Sequence, residues 1–179
     1  MRKSVLAWHF TKGNKLRDGR PVPPIGEWLI HTGDVSMCRS GLHASIRLFD
    51  SIGFAPGGTL HRVECEDVIQ KDSDKLVCRR RRILATMNES RADQMFRRFA
   101  RIAAYTVLDK WDAPKVVRRW LETGDESIRA AARAAAGAAA GDVAWAAARA
   151  AAGAAAYGAY NDQCERLILA DMGLLRAGR

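Results

Sequence analysis

Gly57-Gly58-Thr59-Leu60-His61-Arg62-Val63-Glu64-Cys65-Glu66-Asp67-Val68 is the stretch whose reading decides the fold class. Two glycines turn the chain. Leu60, Arg62, Glu64 and Glu66 then alternate, imperfectly, with His61, Val63 and Cys65, which is the period of a strand. On its C-terminal side, Lys75–Leu84 reads as another strand and contains the run Arg79-Arg80-Arg81-Arg82. On its N-terminal side, Ser4–Phe10 reads as a buried strand and Glu27–His31 as a short one. The loop Thr11–Pro24 between them is punctuated by Gly13, Gly19 and three prolines. Ile46, Phe49 and Ile52 share a face at helical spacing, so Ser45–Ile52 is expected to form a short helix ending at Gly53.

The pattern changes near Thr86. Met95, Phe99, Ile102 and Ala103 recur at three- and four-residue intervals while Arg91, Arg97, Arg98 and Arg101 take other positions, an amphipathic helix with a basic outer face. Asp112 is expected to cap the next helix, with Pro114 in its first turn. A near-exact repeat follows: Arg129–Ala140 and Trp145–Ala156 differ only in their first residue, at an offset of 16 positions. Gly141-Asp142 and the stretch from Gly158 to Asp162 read as stops followed by caps, giving three helices at about 126–140, 142–157 and 161–175. Alanine favours helix and permits close packing, aided here by Gly137, Gly141 and Gly153. It buries little area, so Trp145, Tyr157, Tyr160, Leu167, Ile168 and Leu169 are expected to carry the packing. The expected architecture is α+β. A small mixed or antiparallel sheet domain occupies residues 1–85, and an all-α, alanine-rich region occupies 86–179.

The 179 residues can bury one good core, or a small core with a helical appendage. Apolar content of 48% and charged content of 27% are ordinary for a soluble domain, but the net charge of +9 predicts an anionic partner. Residues 1–85 carry 15 Lys/Arg against 9 Asp/Glu, so the strand-rich half is the more basic. No stretch approaches the ~20 apolar residues of a membrane span. Val5-Leu6-Ala7-Trp8 is too short for a signal-peptide core, and the four cysteines form no CxxC pair. These features read as a cytoplasmic protein with reduced cysteines.

All four histidines (His9, His31, His43 and His61) lie in the first third of the chain. If their strands are neighbours, His9, His43 and His61 converge on one cleft with Thr11, Arg39 and Ser45, a receptor for phosphate or carboxylate groups. The alternative is four histidines each satisfying a local hydrogen bond. In the arginine run, consecutive side chains of a strand must alternate between faces, so two would enter any covered face. The run is read as a polyanion-contacting surface, continued by Arg97, Arg98 and Arg101, against a charged edge strand that discourages aggregation. Cys38 with His43, and His61 with Cys65, match no common zinc spacing, so no metal is expected. No nucleophile elbow, Walker loop or dinucleotide fingerprint occurs.

The order Trp-His-Phe-Thr at Trp8–Thr11, Cys-Arg-Ser-Gly-Leu-His-Ala-Ser at Cys38–Ser45, the Gly57–Glu64 stretch and Asp74-Lys75-Leu76-Val77 is similar to an uncharacterised domain of phage and prophage genomes. More distantly it resembles the ADP-ribosyltransferase fold. In that resemblance His9 matches the early NAD-contacting position, and Gly41–Ser45 the element that opens the second half. Lys75 stands where that fold wants its catalytic Glu, which implies a binder rather than an enzyme. The function expected is a phage-type accessory protein acting by binding. Its target is either a host defence or nucleic-acid complex, met through the basic surface, or a nucleotide-like ligand in the histidine cleft. The competing readings are an NAD-dependent transferase using Glu64 or Asp74, and a scaffold assembling through the alanine helices. No cofactor is required by the binding reading; NAD or another nucleotide is the candidate occupant.

Overall fold

The computed structural model describes residues 3–106, 108, 112–139 and 154–175. Five strands are described: β1 (Ser4–Thr11), β2 (Trp28–Ile30), β3 (Leu42–Ala44), β4 (Thr59–Lys71) and β5 (Leu76–Met87). The described helices are α1 (Leu48–Ile52), α2 (Glu89–Tyr105), α3 (Lys115–Thr123), α4 (Arg129–Ala139) and α5 (Ala154–Asp171). The architecture is α+β. Every strand pairing is antiparallel, so the mixed alternative falls away. The chain divides into two compact units, Met1–Asp93 with Glu165–Arg179, and Gln94–Cys164.

In the first unit the strand order is β1-β4-β5-β2, and β3 also pairs with β5. β5 is long enough to hold β3 along Leu76–Cys78 and β2 along Arg80–Arg82 on the same side. The residue after β3, Ser45, then pairs with Trp8 of β1. Trp8 N–H donates to Ser45 O at 2.7 Å, and Ser45 N–H donates to Trp8 O at 3.0 Å. These bonds close a ring β1–β4–β5–β3. Within it lie Ala7, Leu42, Ala44, Val63, Cys65, Leu76, Cys78 and Ile83, the apolar core. Two glycines are sterically required. Gly41 turns into β3 at φ +102°, where a Cβ would stand 2.7 Å from Val77 Cγ2, and a Cβ on Gly57 would stand 2.7 Å from Lys12 Cα.

The two faces of the sheet treat charge differently. Opposite the core, Arg80 pairs with Glu66 at 2.7 Å and Arg82 with Glu64 at 2.6 Å. Both guanidiniums also cover the Trp28 ring, 4.5 and 4.7 Å from its centroid. This is cross-strand charge pairing of the kind that stabilises a sheet face by a few tenths of a kcal/mol per pair, reinforced by cation–π contact.

The second unit is helical. Val117 and Leu121 of α3 pack with Ala132 of α4, and Ala135 and Ala136 lie against that cluster, so alanine permits close approach here. Asp112 is exposed and α3 begins after Pro114 without a side-chain cap, contrary to the expected Asp112 cap. Asp125 caps the 3₁₀ turn that precedes α4 by accepting from Ser127 N–H. Arg101 Nη1 donates to Leu121 O at 3.2 Å, holding the end of α3. α5 is already helical at Ala154 and runs through Gly158, correcting the expected break between Gly158 and Asp162. Gly141, Trp145, Arg149, Gly153 and the expected 142–157 helix start lie outside the described residues; so do the side-chain surroundings of Gly137.

One buried polar group braces the sheet. His61 on β4, 1% exposed, bridges β1 and β5. Thr11 spends its hydroxyl proton on Gly13 O, so its oxygen accepts from His61 Nε2–H at 2.8 Å, and His61 Nδ1 accepts from Thr86 Oγ1 at 2.9 Å. The ring is therefore the neutral Nε2–H tautomer. Burial, then the Arg81 charge, lowers its pKa to about 4. An unfolded imidazole takes up a proton near pH 6.5 that folded His61 refuses, so stability is full above that pH and falls as pH drops towards 4. The loss due to His61 is at most about 3 to 4 kcal/mol, at ~1.4 kcal/mol per tenfold change. Urea unfolding at pH 7.5, 6 and 5 should show this slope, shallower in His61→Gln; parallel profiles would contradict the assignment.

Candidate functional site

Beside the Trp8–Ser45 closure the first unit opens into a cavity of about 450 Å³, inside the ~300–1,000 Å³ range of small-molecule sites. β1 contributes His9, β3 and its approach contribute Arg39, His43 and Ser45, and β5 contributes Arg81. The loop after β1 adds Arg17, Asp18 and Arg20; Lys75, which precedes β5, adds a further cation, and Leu16, Leu29, Phe54 and Pro56 supply apolar wall.

Arg81 is the deepest charge. Its register partner is Cys65, so it stands on the core side, opposite to Arg80 and Arg82, and it is 6% exposed. Nη1 donates to the backbone oxygen of His43. Among the described residues no carboxylate pairs with it. Burial lowers its pKa, yet a guanidinium stays protonated in proteins, so the cavity holds a fixed and uncompensated positive charge. Around it, Asp18 is engaged by Arg20 at 2.7 and 2.9 Å, and Asp18 is the one carboxylate among the described lining residues. Lys75 lies 3.9 Å from Asp74, outside the lining, so Arg17, Arg39 and Arg81 face the cavity as cations without a carboxylate partner among the described residues.

The histidines divide by role. His9 lines the cavity with an accessible edge, and neither ring nitrogen has a protein hydrogen-bond partner among the described residues. Its ring stacks on His61, with centroids 6.4 Å apart and planes at 27°. Burial first, and the Arg81 charge second, hold its pKa well below the ordinary imidazole value, so it is neutral at pH 7 and offers one donor and one acceptor. His43 also lines the cavity, but its Nε2 accepts from Cys38 N–H at 3.0 Å. Its ring fixes the loop before β3, and its carbonyl holds Arg81. His61 and Thr11, expected in the ligand set, do not line the cavity. They stand behind His9 because His61 is its cross-strand neighbour and both of its nitrogens serve Thr11 and Thr86. His31 Nε2 contacts Asp34 O at 3.0 Å, away from the cavity.

The arginine run is not one continuous contact surface. Arg80 and Arg82 are engaged by glutamates, Arg79 donates to Gly33 O at 2.7 Å, and Arg81 faces the cavity. Arg97, Arg98 and Arg101 belong to the second unit, where Arg97 and Arg98 are exposed and Arg101 serves α3. Glu64, a candidate transferase acid, lies on the face opposite the cavity with Arg82; Asp74 is outside the lining. Sequence reasoning missed Arg17, Lys75 and Phe54 as lining residues. Of these only Lys75 carried a mark, as a departure from a motif. Among the described residues no group of three His, Cys, Asp or Glu is placed to hold a metal ion, and no helix is long and apolar enough to cross a membrane.

An uncompensated buried cation costs stability, which is tolerable where a ligand supplies the counter-charge. Arg81→Met is therefore expected to leave the urea midpoint unchanged or to raise stability by about 1 kcal/mol. A loss above about 2 kcal/mol would instead make Arg81 a structural residue.

No curated protein and no solved structure matches the chain. One family does: the Domain of unknown function (DUF7666) matches residues 9–119, a span that begins at His9 and contains Arg39, His43, Ser45, Lys75 and Arg81. The match covers more than half of the sequence, and the chain belongs to the DUF7666 family.

Proposed function

We propose that the sheet unit is a receptor for a small anionic ligand and works by binding rather than by turnover, as an accessory protein of the phage type that the sequence resembles. One observation carries the reading: Arg81, almost wholly buried in a cavity, has no carboxylate partner among the described residues. A phosphate or carboxylate oxygen pair fits a guanidinium fork, and low dielectric strengthens the bond. Neutral His9 beside it serves as a hydrogen-bond partner without competing for the anion. The transferase reading is weaker, because Glu64 and Asp74 are both outside the cavity and Asp18 is engaged by Arg20. Binding a host's phosphorylated metabolite is one way such a receptor modulates a defence system.

Calorimetric titration with inorganic phosphate and with citrate tests the reading at low salt. At least one is expected to bind with micromolar to millimolar affinity. Binding should weaken several-fold at high salt and be lost in Arg81→Gln with the fold intact by circular dichroism. Silence towards both anions would end the reading, and release of nicotinamide from added NAD would replace it with the transferase.

A further inference from the structure

The cavity is larger and more apolar than an anion alone requires, and its charge exceeds what one carboxylate neutralises. Three lining cations (Arg17, Arg39 and Arg81) have no carboxylate partner among the described residues, since Asp18 is taken by Arg20 and Asp74 stands 3.9 Å from Lys75. A monocarboxylate brings one negative charge, whereas a phosphate monoester brings about 1.5 to 2 at neutral pH with three acceptor oxygens. The second half of the lining is apolar. Leu16, Leu29 and Pro56 form wall, and Phe54, placed after α1, keeps 41% of its surface exposed. Lys75 Nζ lies 4.8 Å from the Phe54 centroid, so the aromatic ring and the cationic zone adjoin. A bare phosphate would leave this wall wet and most of the ~450 Å³ unfilled.

We infer that the ligand is a phosphate monoester carrying a planar ring, with its phosphate at Arg81 and its ring against Phe54; nucleoside monophosphates are the chemical class. This rests on the receptor reading above. Phe54 supplies a π-face that accepts a base with little regard to its identity, while the unpaired nitrogens of His9 and the Ser45 end of β3 offer polar contacts between the two zones.

Adenosine 5′-monophosphate, ribose 5-phosphate and adenosine serve as probes in calorimetric titration against the full chain. The monophosphate is expected to bind at least tenfold more tightly than ribose 5-phosphate, and adenosine more weakly than either. Phe54→Ala should weaken the monophosphate about tenfold and leave ribose 5-phosphate unchanged, with Phe54→Trp restoring affinity. Arg81→Gln should remove binding of both phosphates. Equal affinity for the two phosphates, or an equal effect of Phe54→Ala on both, overturns the inference while leaving an anion receptor. Binding of citrate with no phosphate ester bound also overturns it and spares the receptor. Failure of every anion overturns both.

Discussion

Two backbone hydrogen bonds between Trp8 and Ser45, at 2.7 and 3.0 Å, hold β1 against the end of β3. Each is worth only about 0.5–1.5 kcal/mol net, so their importance is geometric. Without them β1 would be an open edge and β3 a short strand on the far side of β5. With them the sheet closes, and His9, His43 and Arg81, distant in sequence, line one cavity. The closure also fixes what each side chain can do. His43 is held on the approach to Ser45 and ties down Cys38 N–H, while His9, one residue beyond Trp8, keeps its nitrogens for the cavity.

The arginines of β5 show how strand geometry assigns opposite fates to one residue type. Arg80 and Arg82 fall opposite Glu66 and Glu64 and share Trp28, a lattice of cross-strand pairs on a partly solvated face. Arg81, between them, is turned to the other side and meets a backbone oxygen and two thiols instead of a carboxylate. Cys78 Sγ there donates to Leu42 O at 3.3 Å, and Cys65 and Cys78 are buried free thiols. Burying a charge without a counter-charge is expensive. The sequence could have placed an apolar residue at this point of the core side, where Ile83 and Val63 already sit. The one protein bond of the Arg81 guanidinium, to the His43 oxygen, leaves most of its donors for the cavity, which is why the proposed receptor is built on it.

Much of this was legible in the residues because strand periodicity is local. The alternation around His61 located β4, and the turn at Gly57-Gly58 located its start. The rule that four successive arginines must split between faces already implied that some would be turned inward. Which ones, and against what, depended on register, since a shift of one residue exchanges the two faces. The same dependence separated the histidines. His9 and His61 share a face and a cross-strand position, yet one borders a cavity and the other is boxed by Thr11 and Thr86. Arg17, Lys75 and Phe54 were illegible as a group because only the folded loops bring them to one rim. Gly158 does not end α5 because a glycine within good helix formers costs only about 1 kcal/mol.

The electrostatics of the cavity also separate recognition from acid–base chemistry. A group that shuttles protons works best with a pKa near the working pH. Burial and the Arg81 charge push His9 far to the acid side, and His43 is lowered by burial while its Nε2 is taken by Cys38 N–H. Raising His9 into the useful range would require a carboxylate nearby, and that carboxylate would also neutralise Arg81. The two needs conflict: the low-dielectric setting that makes the guanidinium a strong anion clamp makes the imidazole a poor acid or base. A bound anion would relax the conflict only partly, by raising His9 and so adding a donor. In the receptor reading proposed above, the cavity's fixed charge does the holding and His9 responds to the bound anion.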